Sequence, residues 1–244
     1  MPLMDEFKEE REEMKNRSFK EKAAYFWDYY KWHVIGTAIG IVIVASLLHS
    51  FLTRKEVAYY SMFINMVEST YSQDYKKGFA EEAGINLKKQ AVYFDADMLI
   101  DFQKMDEITA TSLQKIMVYL AAGDLDSMLG NLETTNQYAY NGVFTDLREF
   151  LTKEEFEKYE PYFFYADKAL IDSSAGEITI GTKFPGSPTD PSSMEDPIPV
   201  AIRLDQCTKL KESYAMGTDQ YVAFLVNSEH PELNHVFLNY LFEN

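Results

Sequence analysis

The hydrophobic pattern of the chain begins with one long, uninterrupted apolar stretch. Residues 34–52 contain 13 apolar side chains and no Asp, Glu, Lys or Arg. A helix of this length, at about 1.5 Å rise per residue, spans roughly the 30 Å hydrocarbon layer of a bilayer. The apolar side chains would cover every face of that helix, whereas a helix packed on a soluble core keeps a polar stripe. The stretch therefore predicts one transmembrane helix.

The segment before this stretch has the features of a helix at a membrane surface. Ser18 and Glu21 stand at the spacing of a capping box, which marks the start of a helix. Aromatic rings with one polar atom, and lysines that can reach lipid phosphates, then follow: Tyr25, Trp27, Tyr29, Tyr30, Trp32, Lys20, Lys22 and Lys31. Residues 1–33 are therefore predicted to include an interfacial amphipathic helix that contacts membrane lipid.

The basic residues beside the apolar stretch predict its orientation. The N-terminal side carries more of them than the other side: Arg17, Lys20, Lys22 and Lys31 against Arg54 and Lys55. Cytoplasmic flanks carry the excess of Lys and Arg, so we expect the N-terminus in the cytoplasm and residues 57–244 outside it. A cleavable signal peptide opens with a short basic region, whereas residues 1–33 come first here. We therefore expect an uncleaved single-pass anchor in the cell membrane.

Two glycines in the apolar stretch bear on the oligomeric state. Gly36 and Gly40 form a GxxxG pair. Two helices can approach closely at such a pair, which would give a weak dimer. The motif is also frequent in membrane helices by chance, so both interpretations stay open.

Downstream of the anchor, apolar residues alternate between strand spacing and helix spacing. The alternation gives three strands and two helices in turn: 57–66, 71–83, 90–94, 107–122 and 125–129. Gly84 and Gly123 directly follow the two helices, where glycine commonly ends a helix. Strands separated by helices require right-handed crossovers. We therefore expect residues 57–244 to form an α/β domain with a mainly parallel sheet covered on both faces.

The remainder of the domain is predicted to be less regular at first. Two helices and then a two-stranded hairpin follow: 132–140, 146–159, 163–171 and 177–181. Residues 184–199 hold five of the eight prolines and should form an irregular excursion. Two strands and a closing helix complete the chain: 200–204, 221–226 and 231–242.

Charge and cysteine content narrow the possible partners. From residue 57 onward there are 14 Lys/Arg and 30 Asp/Glu, so the domain carries the whole net charge of −16. A surface of that sign repels phosphate backbones, which argues against nucleic acid as a partner. Excess acid also has the simpler role of keeping a protein soluble. Cys207 is the single cysteine, which excludes an internal disulfide and leaves a buried apolar role or a link between two chains.

Two stretches of the domain resemble a known family. Residues 123–130 (GDLDSMLG) and 138–147 (YAYNGVFTDL) resemble the segment of bacterial extracellular solute-binding proteins in which a buried strand after G-D-x-D leads to a helix and a turn. Residues 221–241 are similar to the closing strand and helix of those proteins, which an N-S-x-H-P-E turn connects. The resemblance implies one lobe of a periplasmic solute-binding fold of type II, with a reduced second lobe because residues 147–216 are too few for a full one.

Patterns typical of enzymes are missing from the sequence, which contains no HExxH, GxSxG, Walker or GxGxxG motif. Asp124 and Asp126 fall on a predicted buried strand, where alternation would point both the same way. Nothing places these two carboxylates in the different environments that acid–base chemistry requires. We therefore expect a protein that is not an enzyme and has no cofactor.

Two groups of residues contain side chains of the kinds that bind metals. An acidic run invites a calcium site: Asp95, Asp97, Asp101, Asp106 and Glu107. An EF-hand loop needs an oxygen ligand at its fifth position and glycine at its sixth, but Leu99 and Ile100 stand there, so a solvated acidic turn is favoured. His230 and His235 are off the spacing of a helical metal pair, so roles at a helix start and on the surface are favoured.

Two functions remain compatible with these features. One is a binding module that captures a small molecule or peptide where the parallel strands end. Its predicted ligand contacts lie in turns near that edge: Glu68, Asn131, Tyr140 and Tyr214. The other is a structural protein that holds another protein of the cell envelope through its surface. For each residue the simpler alternative is that Glu68 and Asn131 begin helices and that the tyrosines only pack.

Overall fold

The computed structural model describes residues 18–174, 182 and 188–243. The chain divides into two units, residues 1–54 and 55–244. The described part of the first unit is helix α1 (Phe19–Thr53). Ser18 precedes it, and the Ser18 backbone N–H donates to Glu21 Oε2 at 2.8 Å, which confirms the predicted capping box.

The apolar part of α1, Tyr30–Thr53, has a mean hydropathy of 2.1, and none of its apolar window is buried within the chain. By length and composition it can cross a membrane, a test that a signal sequence near an N-terminus also meets. The aromatic segment predicted to be interfacial is continuous with this span in a single helix. It therefore extends the axis of the span and does not form a separate helix.

The described residues of the second unit form eight strands, which are numbered in chain order: β1 (Glu56–Phe63), β2 (Met66–Glu68), β3 (Gln90–Asp95), β4 (Ser127–Asn131), β5 (Phe163–Asp167), β6 (Pro197–Arg203), β7 (Tyr214–Met216) and β8 (Gln220–Phe224). Its described helices are α2 (Ser72–Glu82), α3 (Glu107–Ala122), α4 (Leu132–Tyr140), α5 (Leu147–Phe150), α6 (Lys153–Tyr159), α7 (Lys168–Ser174), α8 (Thr208–Ser213) and α9 (Pro231–Phe242). Six strands form the main sheet in the order β3-β1-β4-β8-β6-β5, and β2 pairs with β7 in a separate antiparallel ribbon.

Only the first half of the main sheet is parallel. Strand β1 runs parallel to β3 and β4, whereas β8 is antiparallel to both β4 and β6, and β5 is antiparallel to β6. Helix α2 lies in the connection from β1 to β3 and α3 in that from β3 to β4, and each returns the chain to the same end of the sheet. The prediction of a mainly parallel sheet is therefore wrong for the second half, because a hydrophobic pattern marks a strand without stating its direction.

Two apolar layers cover the sheet, as the sequence predicts. Alternate residues of β1 supply both layers: Tyr59 and Phe63 face one, and Tyr60 and Met62 face the other. Helices α2 and α9 cover the first face, for example through Phe79 and Phe237. Helices α3 and α4 cover the second face, for example through Ile116 and Tyr138. Both core faces of the parallel strands are therefore buried.

Several of the predicted helix and strand boundaries agree with the structure, and several differ from it. Helices α3, α4 and α9 match their predicted ranges, and Gly123 ends α3 in a left-handed conformation with φ of 75°. The single helix predicted over 146–159 is two helices, because Thr152 and Glu155 form a capping box that starts α6. The predicted strand 163–171 ends early, at Asp167, and α7 begins.

The partner of β5 also differs from the prediction. Strand β5 pairs with β6, and the strand predicted over 177–181 lies outside the described residues. Both β5 and β6 fall within residues 147–216 and return to the main sheet. Residues 55–244 are accordingly one unit, and the reduced second lobe expected from the resemblance is not a separate body in it.

Candidate functional site

An open cavity of about 390 Å³ lies where β4 ends and α4 begins. Residues from two turns line it: Asn131, Leu132, Glu133, Asn136, Thr218 and Asp219. The first four begin at Asn131, the last residue of β4, and the last two precede β8, its antiparallel neighbour. Ligands of open α/β sheets bind at such carboxyl ends, so we take this cavity as the candidate binding site.

Asn131 is positioned by the junction of strand and helix. It is the last residue of β4, and its Oδ1 accepts a hydrogen bond from the Thr134 backbone N–H at 2.9 Å, which caps α4. A side chain at Gly130 would come within 3.2 Å of Thr134 Cγ2, so the turn is tight at that point. Asn131 therefore lies at the cavity wall with its Oδ1 engaged in the cap.

The opposite wall is a turn with an unusual backbone. Asp219 has φ of 54°, a left-handed conformation that non-glycine residues adopt uncommonly and that Asp and Asn tolerate best. This conformation places an exposed carboxylate beside the cavity. Strained backbone of this kind often accompanies binding sites.

Gln220 stands directly behind this wall. It is 4% exposed and pairs with Asn131 across the β4–β8 ladder, so both side chains lie on the same face of the sheet. Its Nε2 donates weakly to the carbonyl of the cavity-lining Thr218 at 3.5 Å, while its Oε1 is buried without a hydrogen-bond partner. The hydroxyl of Thr134, in the first turn of α4, is also buried and unpartnered. Native proteins seldom leave such groups unsatisfied.

Glu68 and Tyr214, two of the predicted ligand contacts, do come together. They face each other across the β2–β7 ribbon. Glu68 accepts a hydrogen bond from Ser72 Oγ at 3.1 Å, and the Tyr214 ring packs edge-on against Phe63 with ring centroids 4.6 Å apart. Tyr214 is fully buried, and burial raises the pKa of its hydroxyl. Neither residue lines the cavity, and their contact with a ligand stays a prediction.

Tyr140, the remaining predicted contact, lies in the second core layer. Its hydroxyl accepts a hydrogen bond from the Asp167 backbone N–H at 3.3 Å, and burial raises its pKa. This bond joins α4 to the end of β5. Of the four predicted residues, therefore, Asn131 alone lines the cavity at β4.

A second polar group, which the sequence did not predict as a cluster, lies at the other end of β4. Asp126 is 2% exposed, and its Oδ2 accepts from the Tyr60 backbone N–H at 2.8 Å. Its Oδ1 accepts from Ser228 Oγ at 2.7 Å and lies 3.0 Å from His230 Nδ1. The expectation that Asp124 and Asp126 share one face of a strand is wrong, since β4 begins at Ser127 and Asp124 is exposed.

The Asp126 cluster continues into the core. Asn234 Nδ2 donates to Ser228 Oγ at 3.1 Å, and the Tyr59 hydroxyl lies 2.9 Å from Asn234 Oδ1 and 3.0 Å from Ser127 Oγ. These bonds join β1, β4 and the start of α9. His230 occupies the position before α9, in agreement with its predicted helix-start role. In the sequence, the closeness of Ser228 and His230 within the N-S-x-H-P-E segment is the signal that could have linked members of this cluster.

Asp95 and Asp106, from the acidic run that invited a calcium site, bind other groups of the chain instead. Asp95 Oδ2 lies 2.7 Å from Lys115 Nζ and accepts from the Tyr60 hydroxyl at 2.7 Å. Burial alone would raise the pKa of Asp95, but these bonds lower it. Asp106 caps α3 by accepting from the Thr109 backbone N–H at 3.0 Å. Across the residues that the structure describes, no group of three or more His, Cys, Asp or Glu is arranged to hold a metal.

Comparison with known proteins adds little to this geometry. No protein-family model matches the chain, and no curated protein matches it. Among solved structures, the chain is similar to an ABC substrate-binding protein (Lmo0181) from Listeria monocytogenes in complex with cycloalternan, at 20% identity and a TM-score of 0.26. The match covers 54% of this chain and 35% of that one, so the chain spans about a third of that protein. A similarity this loose carries no argument about function.

Proposed function

We propose that the chain is a membrane-anchored binding protein whose domain, outside the cytoplasm, takes a small polar molecule or peptide in the cavity at the end of β4. The observation that carries the proposal is the open polar cavity between the start of α4 and the turn before β8. Its position at the carboxyl end of a parallel strand supports a binding role. The proposal includes no catalytic residue and no cofactor.

A thermal-shift screen of the full-length chain in detergent tests this proposal. Sugars, oligopeptides and amino acids would each be added, because a ligand at a hundred times its Kd adds about 2.7 kcal/mol to stability. We expect one class to stabilise the protein and Asn131→Ala to abolish that shift. Asp106→Ala is the matched control, since it removes the cap of α3 at a similar cost of about 1 kcal/mol. An equal shift in both variants would place the ligand elsewhere.

The membrane part of the proposal rests on the exposed apolar length of α1 and on the basic residues before it. If α1 is an uncleaved anchor with a cytoplasmic N-terminus, protease added to intact cells should digest the domain and leave the N-terminal segment protected. A domain that survives until the cells are lysed would show the opposite orientation. A chain that begins after residue 53 in the mature protein would show a cleaved signal sequence.

A second function is favoured by the outward face of α3. Met117 and Val118 are each about 60% exposed there, on a domain that otherwise carries many acidic residues. Such a face suits an envelope protein with an apolar surface of its own. If no solute class shifts the melting temperature, photo-crosslinking from position 117 in cells should give a discrete adduct. A probe at the exposed Glu154, on α6, serves as the control.

A further inference from the structure

A second and smaller pocket, of about 130 Å³, lies at the end of α3. Leu125 and Leu225, which line it, belong to the second core layer, and Val143 packs against that layer. The pocket is therefore a notch in the apolar core, and it is called the α3 pocket below. Nine described residues line it: Tyr119, Leu120, Gly123, Leu125, Gly142, Val143, Leu225, Val226 and Asn227.

The floor of the α3 pocket is apolar because the main chain around it is hydrogen-bonded to itself. The Val226 N–H donates to the Val143 carbonyl at 3.1 Å, and the Leu225 N–H donates to the Asp126 carbonyl at 3.0 Å. The side chains of Leu125 and Leu225 are buried and form the floor. An ordered water needs about two to four polar partners, so this floor suits an apolar group better than water.

The volume of the α3 pocket limits the group that it can hold. Drug-sized ligands occupy cavities of about 300–1,000 Å³, whereas an apolar cavity of about 150 Å³ takes benzene. At about 130 Å³, the α3 pocket is close to the second case. None of the nine described residues that line it carries a charge. These two properties fit one uncharged six-membered ring or an alkyl group of the same size.

Tyr119 favours an aromatic ring over an alkyl group. Its side chain is half-buried, and its ring packs edge-on against Tyr60, with ring centroids 4.8 Å apart and an interplanar angle of 72°. This contact holds an aromatic surface at the wall of the pocket. Aromatic pairs gain energy beyond the area that they bury, which a saturated group of equal size does not. At the exposed rim, the Asn227 amide can both donate to and accept from a polar substituent.

We infer that the α3 pocket binds one uncharged aromatic ring. The ring lies on Leu125 and Leu225 and beside Tyr119, and its substituent leaves past Asn227. A free phenol-like compound and the phenylalanine side chain of a peptide supply the same ring, and the experiment below separates them. The inference goes beyond the proposed function and does not depend on it, because the α3 pocket and the cavity at the end of β4 share no lining residue.

NMR of the full-length chain in detergent, with labelled Leu and Val methyl groups, tests the inference at the residues concerned. Phenol and N-acetyl-phenylalaninamide supply the ring, and N-acetyl-cyclohexylalaninamide is the saturated counterpart of the amide. We expect both ring compounds to give saturable shifts at Leu125, Leu225 and Val226. The methyl groups of Val67, on β2, should not shift and so report any non-specific effect. The cyclohexyl compound should bind about threefold or more weakly.

Three variants test the position of the ring. Val143→Phe adds bulk to a half-buried wall and should abolish the saturable shifts. Val226→Asp places a charge at the exposed rim without changing the core, and should weaken binding about tenfold. Val67→Asp is its matched control, because the two valines are 59% and 54% exposed at positions 67 and 226. Tyr119→Leu should remove the difference between the phenyl and cyclohexyl amides, a result that a purely structural role would not produce.

The outcomes separate the two ring sources and the two proposals. Binding of phenol alone supports a free aromatic compound, and binding of the phenylalanine amide as well supports a peptide side chain. Equal affinity for the cyclohexyl compound, unchanged in Tyr119→Leu, would show that the pocket does not select aromatic rings. If no compound gives a saturable shift, or if folded Val143→Phe binds as before, the inference is wrong. Asn131→Ala, which tests the proposed function, should leave the ring titration unchanged.

Discussion

The buried polar groups at the two ends of β4 differ in whether their hydrogen bonds are satisfied. At its start, both oxygens of the buried Asp126 accept hydrogen bonds, and the bonds continue through Ser228, Asn234 and Tyr59. At its end, Gln220 Oε1 and Thr134 Oγ1 are buried without partners beside an open cavity. A satisfied buried network specifies and holds a fold, whereas an unpaired buried polar group costs stability. The same strand thus serves structure at one end and, we propose, binding at the other.

The largest expected effect is at the satisfied end. Asp126→Ala should lower the free energy of unfolding by about 3–5 kcal/mol, because it leaves the Tyr60 N–H, Ser228 and His230 without their acceptor. Urea unfolding of the chain, followed by circular dichroism, measures the loss. Asp124→Ala, at an exposed position two residues earlier, should change stability by less than about 0.5 kcal/mol. Equal effects at the two positions would show that the network does not hold the fold.

A second satisfied carboxylate, Asp167, extends the comparison to the antiparallel half of the sheet. Burial alone would raise the pKa of Asp167, but bonds from the Glu195, Asp196 and Ala169 backbone N–H groups lower it. A lowered folded pKa gives stability that is complete above the unfolded value of about 3.9 and is lost as pH falls through the folded value.

Asp167→Asn should therefore cost about 1–2 kcal/mol at neutral pH, and the difference from the original chain should shrink below about pH 4. Urea titrations at a series of pH values measure this difference. Glu154→Asn or Glu154→Gln, at an exposed site, should show no such convergence. A difference that stays constant down to about pH 2 would contradict a charged role for Asp167.

Tyr59→Phe tests how much one hydroxyl of the Asp126 cluster contributes to stability. Burial raises the pKa of Tyr59 well above its usual range, so its hydroxyl stays protonated and available as a donor. Its loss should cost about 1 kcal/mol, the net contribution of one buried hydrogen bond. Tyr93→Phe, on the half-exposed Tyr93, should be close to neutral. The comparison of the two melting temperatures measures the difference, and a neutral Tyr59→Phe would mean that the core bonds are replaced.

The smallest effect is expected at the cavity end. Gln220→Leu should leave the free energy of unfolding within about 0.5 kcal/mol of the original or raise it slightly, because the buried Oε1 has no partner to lose and Nε2 makes only one weak bond, of 3.5 Å, to the Thr218 carbonyl. Urea unfolding without added solute provides the measurement. A loss comparable to that of Asp126→Ala would show that Gln220 serves the fold, and the contrast between the two ends would disappear.

Local signals in the sequence were sufficient for most helices. Glycine after α3, proline at the start of α9 and the capping box at Ser18 each act within one turn, so their effect can be seen in a short window. The capping box at Thr152 has the same form and separates α5 from α6, which the apolar spacing alone does not do. Asn131 was predicted at the site because the carboxyl ends of strands place short polar side chains around one crevice.

What the sequence determined by itself is the apolar length of α1, the alternation of β and α elements and the acidic charge, because each depends on neighbouring residues or on composition. Only the tertiary structure decided which strands are antiparallel and which residues meet across the chain. Asn131 and Asp219 share a cavity, and Asp126 and His230 share a hydrogen-bond cluster, because β8 inserts beside β4. That pairing joins residues about ninety positions apart, and no local pattern carries it.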